Sequence, residues 1–169
     1  PVLDKIYRNL TWAKCVMEPD EFIEHIKSHA PDVIVHLGAV VDTTDLASDD
    51  MIDLNVKYVQ RLVDAANNNR PTDDIPGIVF ASSAATYGSD FTKPNNPYGL
   101  TKVFGERIVR GTRGQFSCLR FFNVFGNMEH HKGQMASVPF KLAQAYKNGD
   151  RFDMHSLNSS RDFVSVKSV

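Results

Sequence analysis

Short, continuous apolar segments alternate with amphipathic segments along this chain, and this alternation constrains the fold more than any other feature. The apolar segments are 33–37 (VIVHL), 78–81 (IVFA) and 116–122 (FSCLRFF). Their shortness and their β-branched and aromatic residues predict buried strands. The amphipathic segments predict helices over 20–29, 49–67, 98–110 and 137–147. Strands that alternate with helices in this way predict an α/β fold with a doubly wound parallel sheet, covered by helices on both faces.

The ends of the strands are the first place to look for a functional site, because ligands of such sheets lie at the carboxyl ends of the strands. The residues that follow the three predicted strands are 36–39 (HLGA), 82–84 (SSA) and 123–126 (NVFG). We therefore expect functional side chains among these residues.

Charge and cysteine content exclude several classes of protein. The 169 residues include 19 Lys and Arg against 20 Asp and Glu, a net charge of -1, which argues against a general binder of nucleic acid or anionic membranes. No apolar run approaches the roughly 20 residues of a membrane span, and the charged residues 1–10 do not resemble a signal peptide. Cys15 and Cys118 form neither a disulfide framework nor a zinc pair. We therefore expect a reducing, cytoplasmic location.

Tyr98 and Lys102 are the sharpest chemical signal. Residues four apart on a helix lie on the same face. A phenol with a pKa near 10 is a poor base at neutral pH, but a neighbouring ammonium favours the phenolate and lowers that pKa. The pair is therefore a candidate general base, and the ordinary alternative is an exposed pair on a helix surface.

Ser83 belongs to a hydroxyl-rich turn that directly follows a predicted buried strand. A serine at this point can hydrogen-bond a substrate hydroxyl or a developing oxyanion. The ordinary alternative is the N-cap of a helix or a serine-rich turn. His130 and His131 suggest a metal, but no Asp, Glu or Cys stands at ligand spacing, so we predict no metal site.

Four segments together resemble the extended short-chain dehydrogenase/reductase superfamily, the nucleotide-sugar epimerases and dehydratases with a Rossmann domain. They are 82–88 (SSAATYG), the Tyr98-x-x-x-Lys102 pair, 120–126 (RFFNVFG) and 161–164 (RDFV). The segment 129–137 (EHHKGQMAS) is similar to one typical of the ADP-L-glycero-D-manno-heptose 6-epimerases. The resemblance covers about residues 32–166.

The resemblance implies a role for each candidate residue. Tyr98 is the catalytic base, Lys102 tunes it and binds the nicotinamide ribose, and Ser83 completes the triad and contacts substrate. Oxidation and reduction at one carbon with rotation of the carbonyl need a second acid/base, and Lys132 matches it. The cofactor-binding residues implied are His36, Gly38, Ala39, Asn55, Tyr98 and Lys102. The substrate-binding residues implied are Ser83, Asn123, Lys132 and Arg161.

The function implied is inversion of the C6 centre of an ADP-heptose with bound NADP, or NAD, for the synthesis of lipopolysaccharide core precursors. The family forms homo-oligomers, so the resemblance implies one here. The alternatives are another UDP- or dTDP-sugar epimerase or dehydratase, or a non-catalytic NADP-binding relative. Ala84 and Ala85 stand where a dehydratase usually has an acidic pair, and the intact proton-transfer residues argue against a binding module.

The chain departs from the family pattern in three ways. No glycine-rich loop precedes Pro31, so the residues that would separate NAD from NADP are missing. Ser83 and Tyr98 are only 15 positions apart, which indicates a shortened loop over 89–92. Lys141 replaces the family's histidine, and Gln134 replaces a small residue.

From these departures we expect the chain to be a part of a larger enzyme. We expect residues 1–125 to be a partial Rossmann cofactor-binding domain and 126–169 to begin the substrate-binding region. The chain begins at Pro1 without a Met, and a whole member of the family would have on the order of 300 residues in two domains.

Overall fold

The computed structural model describes residues 19–29, 31–41, 49–68, 71, 74–89, 92–127, 129–153 and 160–169. Three expectations concern residues outside these ranges. The first is the absence of a glycine-rich loop before Pro31, because residues 1–18 and 30 are not described. The others are the state of Cys15 and positions 90 and 91 of the shortened loop.

Three parallel strands form the central sheet. They are β1 (Val33–His36), β2 (Gly77–Ser83) and β3 (Phe116–Phe121), in the order β1-β2-β3. His36 is paired with Phe80, and Ser83 with Phe121. The parallel register brings the carboxyl ends of the strands to one edge of the sheet, where the sequence predicts the site.

Helices precede and connect these strands as the periodicity predicts. They are α1 (Pro19–His29), α2 (Asp49–Ile52), a π-helical turn (Asp53–Lys57), α3 (Tyr58–Asn68) and α4 (Pro97–Val109). The segment predicted as one helix over 49–67 therefore contains a π-helical turn. The predicted α/β architecture with a parallel sheet is confirmed.

One face of the sheet and three helices form the core. Its largest side chains are Phe80 and Leu62, and it joins α1, α3 and α4 to the strands. On the opposite face of the sheet Val33, Val35 and Leu119 are 53%, 56% and 45% exposed. The described helices thus cover one of the two faces that a doubly wound sheet buries.

Two glycines let α4 lie close against β2. A Cβ atom on Gly105 would stand 2.5 Å from Cζ of Phe80, and one on Gly99 would stand 2.4 Å from the carbonyl oxygen of Ala85. Real Cβ atoms do not approach so closely, so the absence of a side chain sets the distance between α4 and the end of β2. This close approach places Tyr98 and Lys102 beside the strand end.

The rest of the described chain has a small second sheet and one further helix. Strands β4 (Val124–Phe125) and β5 (Val164–Ser165) pair in parallel, and α5 (Val138–Asn148) lies between them in the sequence. Two 3₁₀ segments, Glu129–Met135 and Val166–Ser168, complete this region. None of the described helices has the length and apolarity that a membrane span requires.

Candidate active site

Ser83 and Tyr98 meet where β2 ends and α4 begins. The Asn96 side chain caps α4 by accepting a 2.8 Å hydrogen bond from Gly99 N, and Pro97 stands in its first turn. Tyr98 therefore lies in that first turn, close enough to Ser83 for the serine hydroxyl to lower the pKa of the phenol. Ser83 also caps the 3₁₀ segment Ala84–Thr86 by accepting from Ala85 N at 3.2 Å. The capping role considered for this serine and its contact with Tyr98 are both present.

Lys102 is a buried ammonium beside the Tyr98 ring. Only 3% of the residue is exposed, and Nζ donates a 2.8 Å hydrogen bond to the carbonyl oxygen of Ala81. Nζ lies 5.0 Å from the ring centre of Phe80 and 5.7 Å from that of Tyr98. Burial lowers the pKa of Lys102 to about 8. The alternative of an exposed helix pair is therefore wrong for Lys102.

The pKa of Tyr98 moves in the direction opposite to the one expected from the neighbouring ammonium. Burial raises the pKa of the phenol, and the hydrogen bond with Ser83 opposes this only in part. Lys102 points to Ala81 O instead of the phenol oxygen, which explains why its charge does not bring the pKa down. The two residues are brought together, and burial leaves the pKa of the phenol above its ordinary value.

A buried ionic network lies beneath this group. Glu106, 4% exposed, accepts from Ser82 Oγ at 2.6 Å and from Arg120 Nε and Nη2 at 2.7 Å each. The hydrogen bonds from Arg120 hold the pKa of Glu106 below its ordinary value, against the effect of burial. The guanidinium carbon of Arg120 lies 4.6 Å from the ring centre of Tyr87.

Sequence reasoning missed the part that Glu106 plays. The available signal was its position four residues after Lys102, on the same face of α4. Its partner Arg120 stands in a strand of otherwise uncharged residues, and an arginine there needs a carboxylate nearby when it is partly buried. The sequence shows both residues but not that they meet.

His36, Gly38 and Ala39 line one cavity of about 480 Å³ at the carboxyl end of β1. Nε2 of His36 is buried and has no hydrogen-bond partner among the described residues. Burial, helped by the nearby charge of Lys102, lowers the pKa of His36 to about 4. The largely apolar lining, with the small residues Gly38 and Ala39 at its edge, makes this cavity the candidate place for a cofactor.

Asn55 holds the backbone that follows β1. Its Oδ1 accepts from Val40 N at 2.8 Å, and its Nδ2 donates to Val40 O at 2.8 Å and to Thr101 Oγ1 at 3.2 Å. Both N–H groups of the amide are thus used within the protein. Asn55 acts on the first cavity through the loop that it holds, and direct contact with a cofactor stays a prediction.

A second cavity, of about 250 Å³, brings three predicted substrate residues together. Asn123, Lys132 and Arg161 all line it. Asn123 has a backbone φ of +33°, which asparagine tolerates better than most residues, and its Nδ2 donates to Asp162 O at 2.9 Å. Asn123 thus also stabilises the backbone turn that follows β3.

Lys132 is held at this cavity by a buried carboxylate. Its Nζ lies 3.8 Å from Oε2 of Glu129, a residue that is 4% exposed. Burial pushes the pKa of Glu129 up, but hydrogen bonds from Ser137 and Gly126 and the charge of Lys132 outweigh it and leave the pKa below its ordinary value. The Lys132 side chain remains 41% exposed and so accessible to a ligand.

No cluster of three or more His, Cys, Asp or Glu suited to a metal ion occurs in the part of the chain that the structure describes. His130 instead packs edge-to-face on Phe140, with ring centres 4.9 Å apart.

Comparisons with solved structures support this fold. The ADP-L-glycero-D-manno-heptose-6-epimerase of Helicobacter pylori is 24% identical with a TM-score of 0.74, and the match covers 89% of this chain and 51% of that one. The Bordetella bronchiseptica enzyme WbmH, solved with NAD⁺, is 23% identical with a TM-score of 0.68 and coverages of 89% and 50%. The UDP-N-acetylglucosamine 4-epimerase of Methanobrevibacter ruminantium M1 is 26% identical with a TM-score of 0.69 and coverages of 87% and 51%. The chain spans about half the length of these proteins.

The comparison with protein families covers nearly the whole sequence. The model of the NAD dependent epimerase/dehydratase family matches residues 8–169. This match confirms the superfamily that the motifs predict, and it includes the two cavities and the group around Tyr98. The chain belongs to the NAD dependent epimerase/dehydratase family.

Proposed function

We propose that this chain carries the proton-transfer residues of a nucleotide-sugar epimerase of the ADP-heptose 6-epimerase type, which inverts C6 by transient oxidation and reduction. The observation that carries the proposal is the group formed by Ser83, Tyr98 and Lys102: a phenol whose pKa is affected by a serine hydroxyl, next to a buried ammonium. This combination suits removal of a proton from a carbinol that the serine holds.

The first cavity is the proposed place of the cofactor. His36, Gly38 and Ala39 would hold it, Asn55 would fix the loop around it, and Lys102 would meet the nicotinamide ribose. When bound, NADP or NAD supplies reversible oxidation of the sugar carbon. We propose NADP, which the family resemblance implies, with NAD as the alternative.

The second cavity is the proposed place of the sugar-nucleotide. Asn123 and Arg161 would bind the diphosphate, because amide and guanidinium groups donate to phosphate oxygens. Lys132 would act as the second acid/base once the carbonyl has rotated, and Glu129 would keep its ammonium at the cavity wall. The cavity crosses the proposed boundary between a cofactor region 1–125 and a substrate region 126–169. A cytoplasmic location and a homo-oligomeric state stay predictions.

A UDP-sugar epimerase is the second candidate function. The M. ruminantium relative, a UDP-N-acetylglucosamine 4-epimerase, has a slightly higher identity to this chain than the heptose epimerase has. The substrate thus needs a direct test.

The test incubates the complete protein with ADP-heptose or UDP-galactose and follows epimer ratios by NMR. We expect turnover of ADP-heptose, and its loss in Tyr98→Phe and in Lys132→Met, because each variant lacks one proton-transfer group. The matched controls are Tyr146→Phe and Lys147→Met, two exposed residues of α5 whose change should leave turnover intact. Epimerisation by Tyr98→Phe at the wild-type rate would contradict the assignment, and turnover of UDP-galactose alone would favour the second candidate.

A further inference from the structure

Lys102 and Glu106 lie one turn apart on α4 and are both almost fully buried, yet they do not pair. They are 3% and 4% exposed. Lys102 donates to Ala81 O, and Glu106 accepts from the next residue of β2, Ser82. A lysine and a glutamate at this spacing on one helix face are neighbours and can pair.

Because both side chains are buried, an ion pair between Lys102 and Glu106 would be expected more strongly here than at an exposed position. Attraction between opposite charges grows as water is excluded, because the effective dielectric constant falls. A buried ammonium whose hydrogen bond goes to a neutral carbonyl would gain from a carboxylate one turn away. Something must therefore compete with Lys102 for that carboxylate.

Arg120 is the competitor. Its Nε donates to Oε1 of Glu106 and its Nη2 to Oε2, each at 2.7 Å, while Ser82 also donates to Oε1. A bidentate guanidinium occupies both carboxylate oxygens in a fixed geometry, which a lysine ammonium does not match.

We propose that Arg120 is a positioning residue for Lys102: by occupying both oxygens of Glu106, it leaves the lysine on the Ala81 carbonyl beside the Tyr98 ring. The inference deepens the proposed function and rests on it for the importance of Lys102. Which of Arg120 and Lys102 pairs with Glu106 depends only on the geometry of α4, β2 and β3.

Among the residues that the structure describes, no other ionisable group near Lys102 provides the missing anion. On its own helix the ionisable neighbours of Lys102 are Tyr98 and Glu106. His36 approaches it from β1, and Tyr58 of α3 in turn contacts His36. The further charged or ionisable groups that act on the Glu106 side are Cys118 and Arg120 of β3 and Arg110. Among these groups Glu106 is the one carboxylate, so it is the anion with which Lys102 could pair.

Removal of the guanidinium should bring the two α4 residues together. In Arg120→Met, Glu106 keeps only the hydrogen bond from Ser82, so its free oxygen accepts from the Lys102 ammonium. The pKa of Lys102, about 8 in the wild type, should then rise by about one unit or more, because an opposite charge at contact distance favours the ionised form.

The measurement is the titration of the lysine Cε and Nζ resonances in the isotope-labelled protein, with Lys102 assigned by Lys102→Arg. The decisive variant is Arg120→Met combined with Glu106→Gln, which removes the carboxylate as well. It should bring the Lys102 midpoint back to near the wild-type value. Arg120→Lys, with a single ammonium for two oxygens, should give a smaller rise and provides the test if Arg120→Met does not fold.

Loss of thermal stability in the Arg120 variants with an unchanged Lys102 midpoint would overturn the proposal, since it would mean that Arg120 only joins β3 to α4. A rise that persists in the double variant would overturn it too, because Glu106 would not be its cause. The titration needs no turnover. If wild-type protein epimerises no sugar nucleotide but Lys102 titrates as described, the proposed function fails and the positioning role of Arg120 stands.

Discussion

Acidification from pH 7 to pH 5 should destabilise the fold through a single buried imidazole, that of His36. Burial lowers its pKa from 6.5 to about 4. The folded state therefore keeps the ring neutral in a range where the unfolded chain takes up a proton. Stability from this source is complete above pH 6.5 and is lost as the pH falls towards 4. Linkage between the two pKa values gives a loss of about 2 kcal/mol at pH 5 and about 3 kcal/mol at pH 4.

The range above pH 5 separates this effect from that of the carboxylates. Glu106 and Glu129 have pKa values held below their ordinary range, so both stay ionised there in the folded protein. A loss measured between pH 7 and pH 5 then reports mainly on His36.

The assay is urea unfolding of wild type and His36→Gln at pH 7 and pH 5. The amide of glutamine is neutral at both values, so the difference in unfolding free energy between the two proteins should shift by about 2 kcal/mol in favour of the variant at pH 5. His29→Gln, which removes an exposed imidazole from α1, serves as the control and should keep the wild-type loss. An equal loss in wild type and His36→Gln would refute the reasoning.

Two further perturbations test the packing around the site. Gly105→Ala should lower the free energy of unfolding in urea by about 1–3 kcal/mol, although alanine favours helix, because its Cβ would stand 2.5 Å from Phe80 Cζ. Phe80→Leu in the same protein should recover part of this loss. Additive losses from the two substitutions would contradict the contact. Ser137→Ala removes both the N-cap of α5 and a 2.8 Å hydrogen bond to Glu129, so it should cost about 1–2 kcal/mol by circular dichroism melts. Ser137→Thr should retain most of the stability, and a loss as large as that of alanine would argue against the hydroxyl contacts.

Elements of regular structure were predictable because their signals are local. The helix over 98–110 is observed as Pro97–Val109, and the strand over 116–122 as Phe116–Phe121. A period of 3.6 or a continuous apolar run is complete within a few neighbouring residues, so the sequence shows it directly. The motifs that carry the family resemblance are equally local.

Partnerships between elements were not predictable in the same way. The proximity of Tyr98 and Lys102 follows from their spacing, but the sign of the Tyr98 pKa depends on burial and on where the ammonium points. The bidentate pair of Glu106 and Arg120 depends on how α4 crosses β3. Such facts are properties of packing, and a single sequence does not display them.

The π-helical turn before α3 restricts insertions and deletions in its own segment of the chain. Met51, Asn55 and Val59 are all buried, at a spacing of four residues. An α-helix has about 3.6 residues per turn, so residues four apart drift around its axis. The π-turn has more residues per turn and corrects this drift, so Met51, Asn55 and Val59 lie on one face of the helical segment. Removing or adding one residue here would rotate the preceding turn by about 100° and take Met51 out of the core. This stretch should therefore accept a change of residue type on its outer side far better than a change in the number of residues.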